Sequence, residues 1–167
     1  MNYFCKYKTP DGFSDMIMTG DGEYLTALCF EGSRNISKLS FDGKEIKLPI
    51  FEKTSEWLDE YFSGKVPNFT PEYRLSGITP FRARVYDIMK DIPYGKTVTY
   101  GYIASVIADE RGLAKMSAQA VGGAVGSNPV CIIIPCHRVV GSDGGLVGYG
   151  GGINNKKELL RLEKTVL

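Results

Sequence analysis

Between Lys65 and Gly77 the chain carries Pro67, Asn68, Pro71 and Gly77, and no apolar period survives across the stretch. A break of that kind divides the fold: residues 1–78 form one unit ending in a linker, and residues 79–167 form another. Before the break, residues 24–30 alternate well enough for a strand, introduced by the turn signal Gly20-Asp21-Gly22, and Asp42-Gly43 marks a hairpin turn. Phe51, Trp57, Leu58, Tyr61 and Phe62 then recur at helical spacing, with Gly64 as the stop. The first unit therefore reads as a small α/β module whose aromatic stripe packs a helix onto a sheet. After the break, Thr79 caps a helix with Pro80 in its first position, and Phe81, Val85, Ile88 and Met89 line one face. Pro93-Tyr94-Gly95 ends it. A second helix starts near Thr99 or Tyr100 and buries Ile103, Val106 and Ile107; residues 109–112 are a polar turn, and Ser117 caps a third helix through residues 119–125. Two short helices joined by a turn outline a helix-turn-helix in a mostly helical second unit.

The first residues, MNYFCKYKTPDGF, contain no continuous apolar stretch, so a cytoplasmic protein with neither signal peptide nor membrane partner is expected. Four cysteines (Cys5, Cys29, Cys131, Cys136) never form a CxxC pair, and His137 is the single histidine. A zinc site from Cys5, Cys29 and carboxylates competes with a reading of two buried or free thiols; the second is expected, with no metal and no cofactor. The net charge of +1 hides an asymmetry. Residues 1–79 carry nine Lys/Arg against twelve Asp/Glu, whereas residues 80–167 carry eleven against seven, so the second half is the one able to face phosphate.

Two stretches of that half carry chemistry. The third helix is nearly bare: Ala118, Ala120, Gly122, Gly123, Ala124 and Gly126 leave little side chain on it. Each glycine costs the helix about 1 kcal/mol, so close approach of another backbone has to compensate, whether inside the protein or on DNA. The apolar, β-branched run at residues 130–134 then reads as a buried strand, stopped by Pro135 and followed by Cys136-His137-Arg138. A thiol acts as a nucleophile only as thiolate, which neighbouring basic groups promote. Adjacent side chains diverge in either strand or helix, so His137 reaches the sulfur through a bridging water. A cysteine hydrolase, which needs direct contact between histidine and thiol, is disfavoured for the same reason.

From about Thr79 onward the chain resembles the O6-alkylguanine-DNA alkyltransferases, also called methylated-DNA–protein-cysteine methyltransferases. The resemblance rests on Ile134-Pro135-Cys136-His137-Arg138-Val139, reinforced in order by Val98-Thr99-Tyr100, Ala120-Val121-Gly122-Gly123-Ala124, Asn128-Pro129, Gly148-Tyr149-Gly150-Gly151-Gly152 and Leu159-Leu160 with Glu163. It implies an α/β fold: a ribonuclease H-like first domain (1–78) and a helical DNA-binding and alkyl-acceptor domain (79–167). It implies irreversible, single-turnover repair of O6-alkylguanine in double-stranded DNA, possible action on O4-alkylthymine, and a monomer. Cys136 accepts the alkyl group from a flipped base, His137 polarises the water that takes the thiol proton, and Glu163 holds the imidazole. Tyr100 donates to the departing guanine, with Lys156 lowering the phenol's pKa, and Asn128 holds the active-site turn. Val139, Tyr149, Gly150, Cys131 and Arg138 surround the base. Thr99, Tyr100, Gln119, Ala120, Gly122, Gly123 and Lys115 meet DNA in the minor groove.

The chain departs from the family pattern in three places. Gln119 stands where an arginine usually precedes the small-residue block, so weaker DNA binding or help from Lys115 is expected. Residues 109–113 lengthen the turn. Cys131 replaces a proline. Lesion-binding relatives that do not transfer the alkyl group replace the reactive cysteine, which this chain keeps. A sequence-specific transcription factor would want Arg, Asn or Gln along the third helix to read base edges, where Ala and Gly stand.

Overall fold

The computed structural model describes residues 2–36, 39, 45–145 and 151–164. Three strands, β1 (Tyr3–Tyr7), β2 (Met16–Gly20) and β3 (Leu25–Phe30), form an antiparallel sheet in that order. The expected strand is β3, and the Gly20–Gly22 turn joins it to β2, where Asp21 accepts from Glu23 N–H and Tyr24 N–H. β1 and β2 carry no alternation that announces them, since all five β2 residues are buried. Asp42 and Gly43 lie outside the described residues.

Helix α1 (Pro49–Phe62) lays Phe51, Trp57, Leu58 and Tyr61 into the core, with Phe62 half-buried beside them. It closes in a Schellman turn: Gly64 takes φ +89°, and Gly64 N–H and Lys65 N–H return to Tyr61 O and Glu60 O. The linker then runs extended along the sheet, where Leu25 and Tyr73 bridge.

Helix α2 (Pro80–Lys90) begins as expected, with Thr79 Oγ1 accepting from Arg82 N–H. A two-residue strand β4 (Val98–Thr99) leads into α3 (Tyr100–Glu110), capped by Thr99. Ala104 and Ala108 join Ile103 and Ile107 in the core, whereas Val106 is only half-buried; its place on the expected face is taken by the alanines. The polar turn begins later than expected, because Asp109 and Glu110 remain helical and Gly112 (φ +65°) makes the reversal. Ser117 caps α4 (Ala118–Gly126) through Ala120 N–H. β5 (Val139–Val140) pairs in parallel with β4, and α5 (Ile153–Leu162) completes the chain. The apolar core runs without interruption from β2 and β3 through α1 to α2, α3, α4 and α5. Among the described residues, no helix is long and apolar enough to cross a membrane.

Candidate active site

The segment between α4 and β5 is where expectation and structure part. Residues 130–134 do not form a strand. Val130 and Cys131 touch Leu28 of β3, and then the chain reverses within two residues. Asn128 fastens both ends of the reversal: its Oδ1 accepts from Val130 N–H at 3.0 Å, and its Nδ2 donates to Ile134 O at 2.8 Å. Ile132 consequently sits at φ +71°, with Ile133 N–H bonded back to Cys131 O. A β-branched residue in that region stores roughly 1–3 kcal/mol of strain. Burial of Val130, Ile132 and Ile134 helps to offset it. β-branching favours extended backbone, but the side-chain bonds of Asn128 override that local preference. A second tight turn at Pro135, where Cys136 N–H returns to Ile134 O, delivers Cys136 to the start of a single 3₁₀ turn, Cys136–Arg138.

Behind this turn lies a buried carboxylate. Glu163 follows the last residue of α5 and receives His137 Nε2 at 2.6 Å, Arg138 Nε at 2.9 Å and Arg138 Nη2 at 3.1 Å. It also accepts from Tyr61 Oη at 2.6 Å and Gly95 N–H at 3.0 Å. Burial raises its pKa, but the bonds and charges of His137 and Arg138 outweigh this and hold it well below the usual carboxylate range. His137 is fully buried, and burial pushes its pKa below the ordinary 6.5, against the pull of Glu163. An ionised Glu163 accepts, so Nε2 of a neutral imidazole carries the proton. Nδ1 is then left with its lone pair, buried and with no hydrogen-bond partner among the described residues. His137 therefore does not bond to the sulfur directly. Cys136 is only 3% exposed, so an incoming base needs the surrounding walls to part.

Lys156 is fully buried, donates to Val139 O at 2.6 Å and lies 5.8 Å from the centre of the Tyr100 ring. Burial draws its pKa down to about 8. Burial, then the negative charge of Cys136, raise the Tyr100 pKa, so the phenol keeps its proton. Two of the expected pocket residues also make contacts inside the protein. Arg138 spends its donors on Glu163 and, at 2.8 Å, on Ile92 O. Cys131 is buried against β3. Val139 is buried in β5 beside Cys136, while Tyr149 and Gly150 lie outside the described residues.

On the outer side, Lys115, Gln119, Ala120 and Gly123 are exposed, and Thr99, Tyr100 and Gly122 are half-buried. Val121, Ala124 and Val125 form the inward face of α4. A side chain at Gly123 would meet nothing, and one at Gly122 would meet only Tyr100 at ordinary contact distance. Internal packing therefore does not explain the small residues on that side. A groove of about 480 Å³ runs past Gly122, Gly123 and Gly126, bordered by Arg34 and Arg82. Sequence reasoning missed these two arginines, as well as Tyr61 and the Gly95 amide, because each is brought in from a distant segment.

Residues 80–165 match the family model described as 6-O-methylguanine DNA methyltransferase, DNA binding domain. A methylated-DNA–protein-cysteine methyltransferase of Haemophilus influenzae is 37% identical over 97% of this chain and 86% of its own length. One from Methanosarcina acetivorans is 34% identical over 96% and 97%. The crystal structure of the Mycobacterium tuberculosis O6-methylguanine methyltransferase superposes with a TM-score of 0.80 at 39% identity, covering 98% of this chain and 93% of that one. The mycobacterial protein in complex with DNA gives 0.78 at 38% identity, covering 97% and 92%.

Proposed function

The chain belongs to the methylated-DNA–protein-cysteine methyltransferase family, and from that premise we propose how its own residues carry the repair of alkylated DNA. It takes the alkyl group from O6 of guanine in double-stranded DNA onto Cys136. The observation that carries this reading is the buried series Cys136, His137, Glu163, with Nε2 of His137 committed to the carboxylate and Nδ1 unpartnered among the described residues. A water between Nδ1 and the sulfur passes the thiol proton to the imidazole, and Glu163 stabilises the imidazolium that results. The thiolate then attacks the alkyl carbon, a carbon–sulfur bond forms, and guanine leaves with its electron pair on O6. Tyr100, still protonated, donates to the departing purine. Lys156 and Asn128 hold the framework, through Val139 O and the reversal at residues 130–134.

Among the described residues, no group near Cys136 is able to cleave a thioether, so each molecule acts once. The base leaves its stack to reach the sulfur, at a cost of a few kcal/mol that is smallest for a damaged pair. The exposed side of α4 lies on the DNA, with Gln119 at its first turn, Thr99 and Lys115 beside it, and Arg34 and Arg82 meeting phosphate across the groove. Residues 1–78 and 79–167 form two domains, and the protein works as a cytoplasmic monomer. Incubation with an O6-methylguanine duplex followed by intact mass measurement tests the reading. One added methyl is expected, located on Cys136 and absent from Cys136→Ala; repeated turnover or a methyl elsewhere overturns it.

A further inference from the structure

The segment entering the active-site turn bridges β3 in the parallel sense. Leu28 bridges Val130, Leu28 N–H donates to Pro129 O at 2.8 Å, and Cys131 N–H donates to Leu28 O at 2.9 Å. One step further along such a pair, residues stand opposite each other and point to the same face. That register sets Cys29 beside Cys131. Neighbouring strands lie about 4.8 Å apart, within the roughly 4.4–6.8 Å between α-carbons that a disulfide spans. Cys29 Sγ donates to Pro129 O at 3.7 Å, and the Cys131 side chain draws the Cys29 thiol below its ordinary pKa against the opposing effect of burial. Neither sulfur is the one that takes the alkyl group in the transfer proposed above. Both are buried, but Cys29 and Pro129 border a cavity of about 290 Å³ that also meets Thr26 and Ser127, with room for a molecule the size of water or peroxide.

We propose that Cys29 and Cys131 form a modification site, a dithiol that peroxides convert into a disulfide joining β3 to the active-site turn. The Cys29 thiolate attacks one peroxide oxygen, the O–O bond breaks, and a sulfenic acid forms as hydroxide leaves. The Cys131 sulfur then attacks the Cys29 sulfur, the S–O bond breaks, and water departs with the remaining proton. Two thiols and one hydrogen peroxide thus give one disulfide and two waters.

The test uses the full reduced chain treated with hydrogen peroxide, then denatured, blocked with iodoacetamide, digested and mapped by mass spectrometry. The expected result is a linked pair of peptides containing Cys29 and Cys131, lighter by two hydrogens and separated by dithiothreitol. The link persists in Cys136→Ala and disappears in Cys131→Ser. Recovery of Cys29 and Cys131 as separate alkylated peptides, or a link from either of them to Cys136 or Cys5, overturns the proposal. Mapping on the unaltered chain keeps the outcome independent of how well the variants fold.

Discussion

A carboxylate out of contact with water needs its lone pairs filled, and at Glu163 four residues supply the donors. Tyr61 is the one among them that can be edited without disturbing charge or packing, because its ring stacks on Trp57 and meets Phe62 and Tyr94 edge-on. In Tyr61→Phe the carboxylate loses one donor and draws the imidazolium more strongly. The pKa of His137, depressed by burial, then rises. With His137 as the proposed neutral base, alkyl transfer fails as pH falls through the pKa of that imidazole. The acid limb of the single-turnover rate should move up by roughly half a unit to one unit, the equivalent of about 1 kcal/mol for one hydrogen bond. A purely structural role for the hydroxyl would lower the rate by one factor at every pH. Tyr61 is visible in the sequence only as part of an apolar stripe. Its hydroxyl partner stands 102 residues away, and no local period records a contact of that range.

At the scale of elements, capping residues are informative where periodicity is weak. Thr79 and Ser117 make the side-chain caps expected of them, and Thr99, near the expected start of the second helix, makes another, so α2, α3 and α4 begin where the sequence places them. The reversal at residues 130–134 escapes a reading of the sequence because its cause is the Asn128 side chain, which composition within the run does not reveal. Two predictions belong to α4. Gly123→Leu fills open space, so melting should be unchanged or slightly raised, given the glycine's cost of about 1 kcal/mol in a helix. Duplex affinity should nonetheless fall at least several-fold; equal affinity would mean that this face does not meet DNA. Gln119→Arg should tighten duplex binding and steepen its dependence on salt by about one unit in the log–log slope, the contribution of one phosphate contact. An unchanged slope would indicate that Arg34 and Arg82 already supply the charge at that position.

Across the whole molecule, the two halves divided by the linker share one core and one hydrogen-bonded centre. α1 reaches Glu163 through Tyr61, β3 bridges the segment that enters the active-site turn, and Asn155 of α5 accepts from Ser14 N–H. The boundary near residue 79 is plain in the sequence as a run of breakers, yet the packing crosses it. Apolar faces specify which surfaces must be covered but not which surface covers them, so this union is not legible in the sequence.

The near-complete enclosure of Cys136 has an effect on the protein after its work is done. A methyl group retained on that sulfur adds volume to a close-packed interior, and such overfilling typically destabilises by about 1–3 kcal/mol. For a chain of this length that corresponds to a melting temperature lower by roughly 2–12 °C, measurable by calorimetry on methylated and fresh samples side by side. A spent molecule would thus carry its history as looseness, distinguishable from an unused one by anything that senses unfolding.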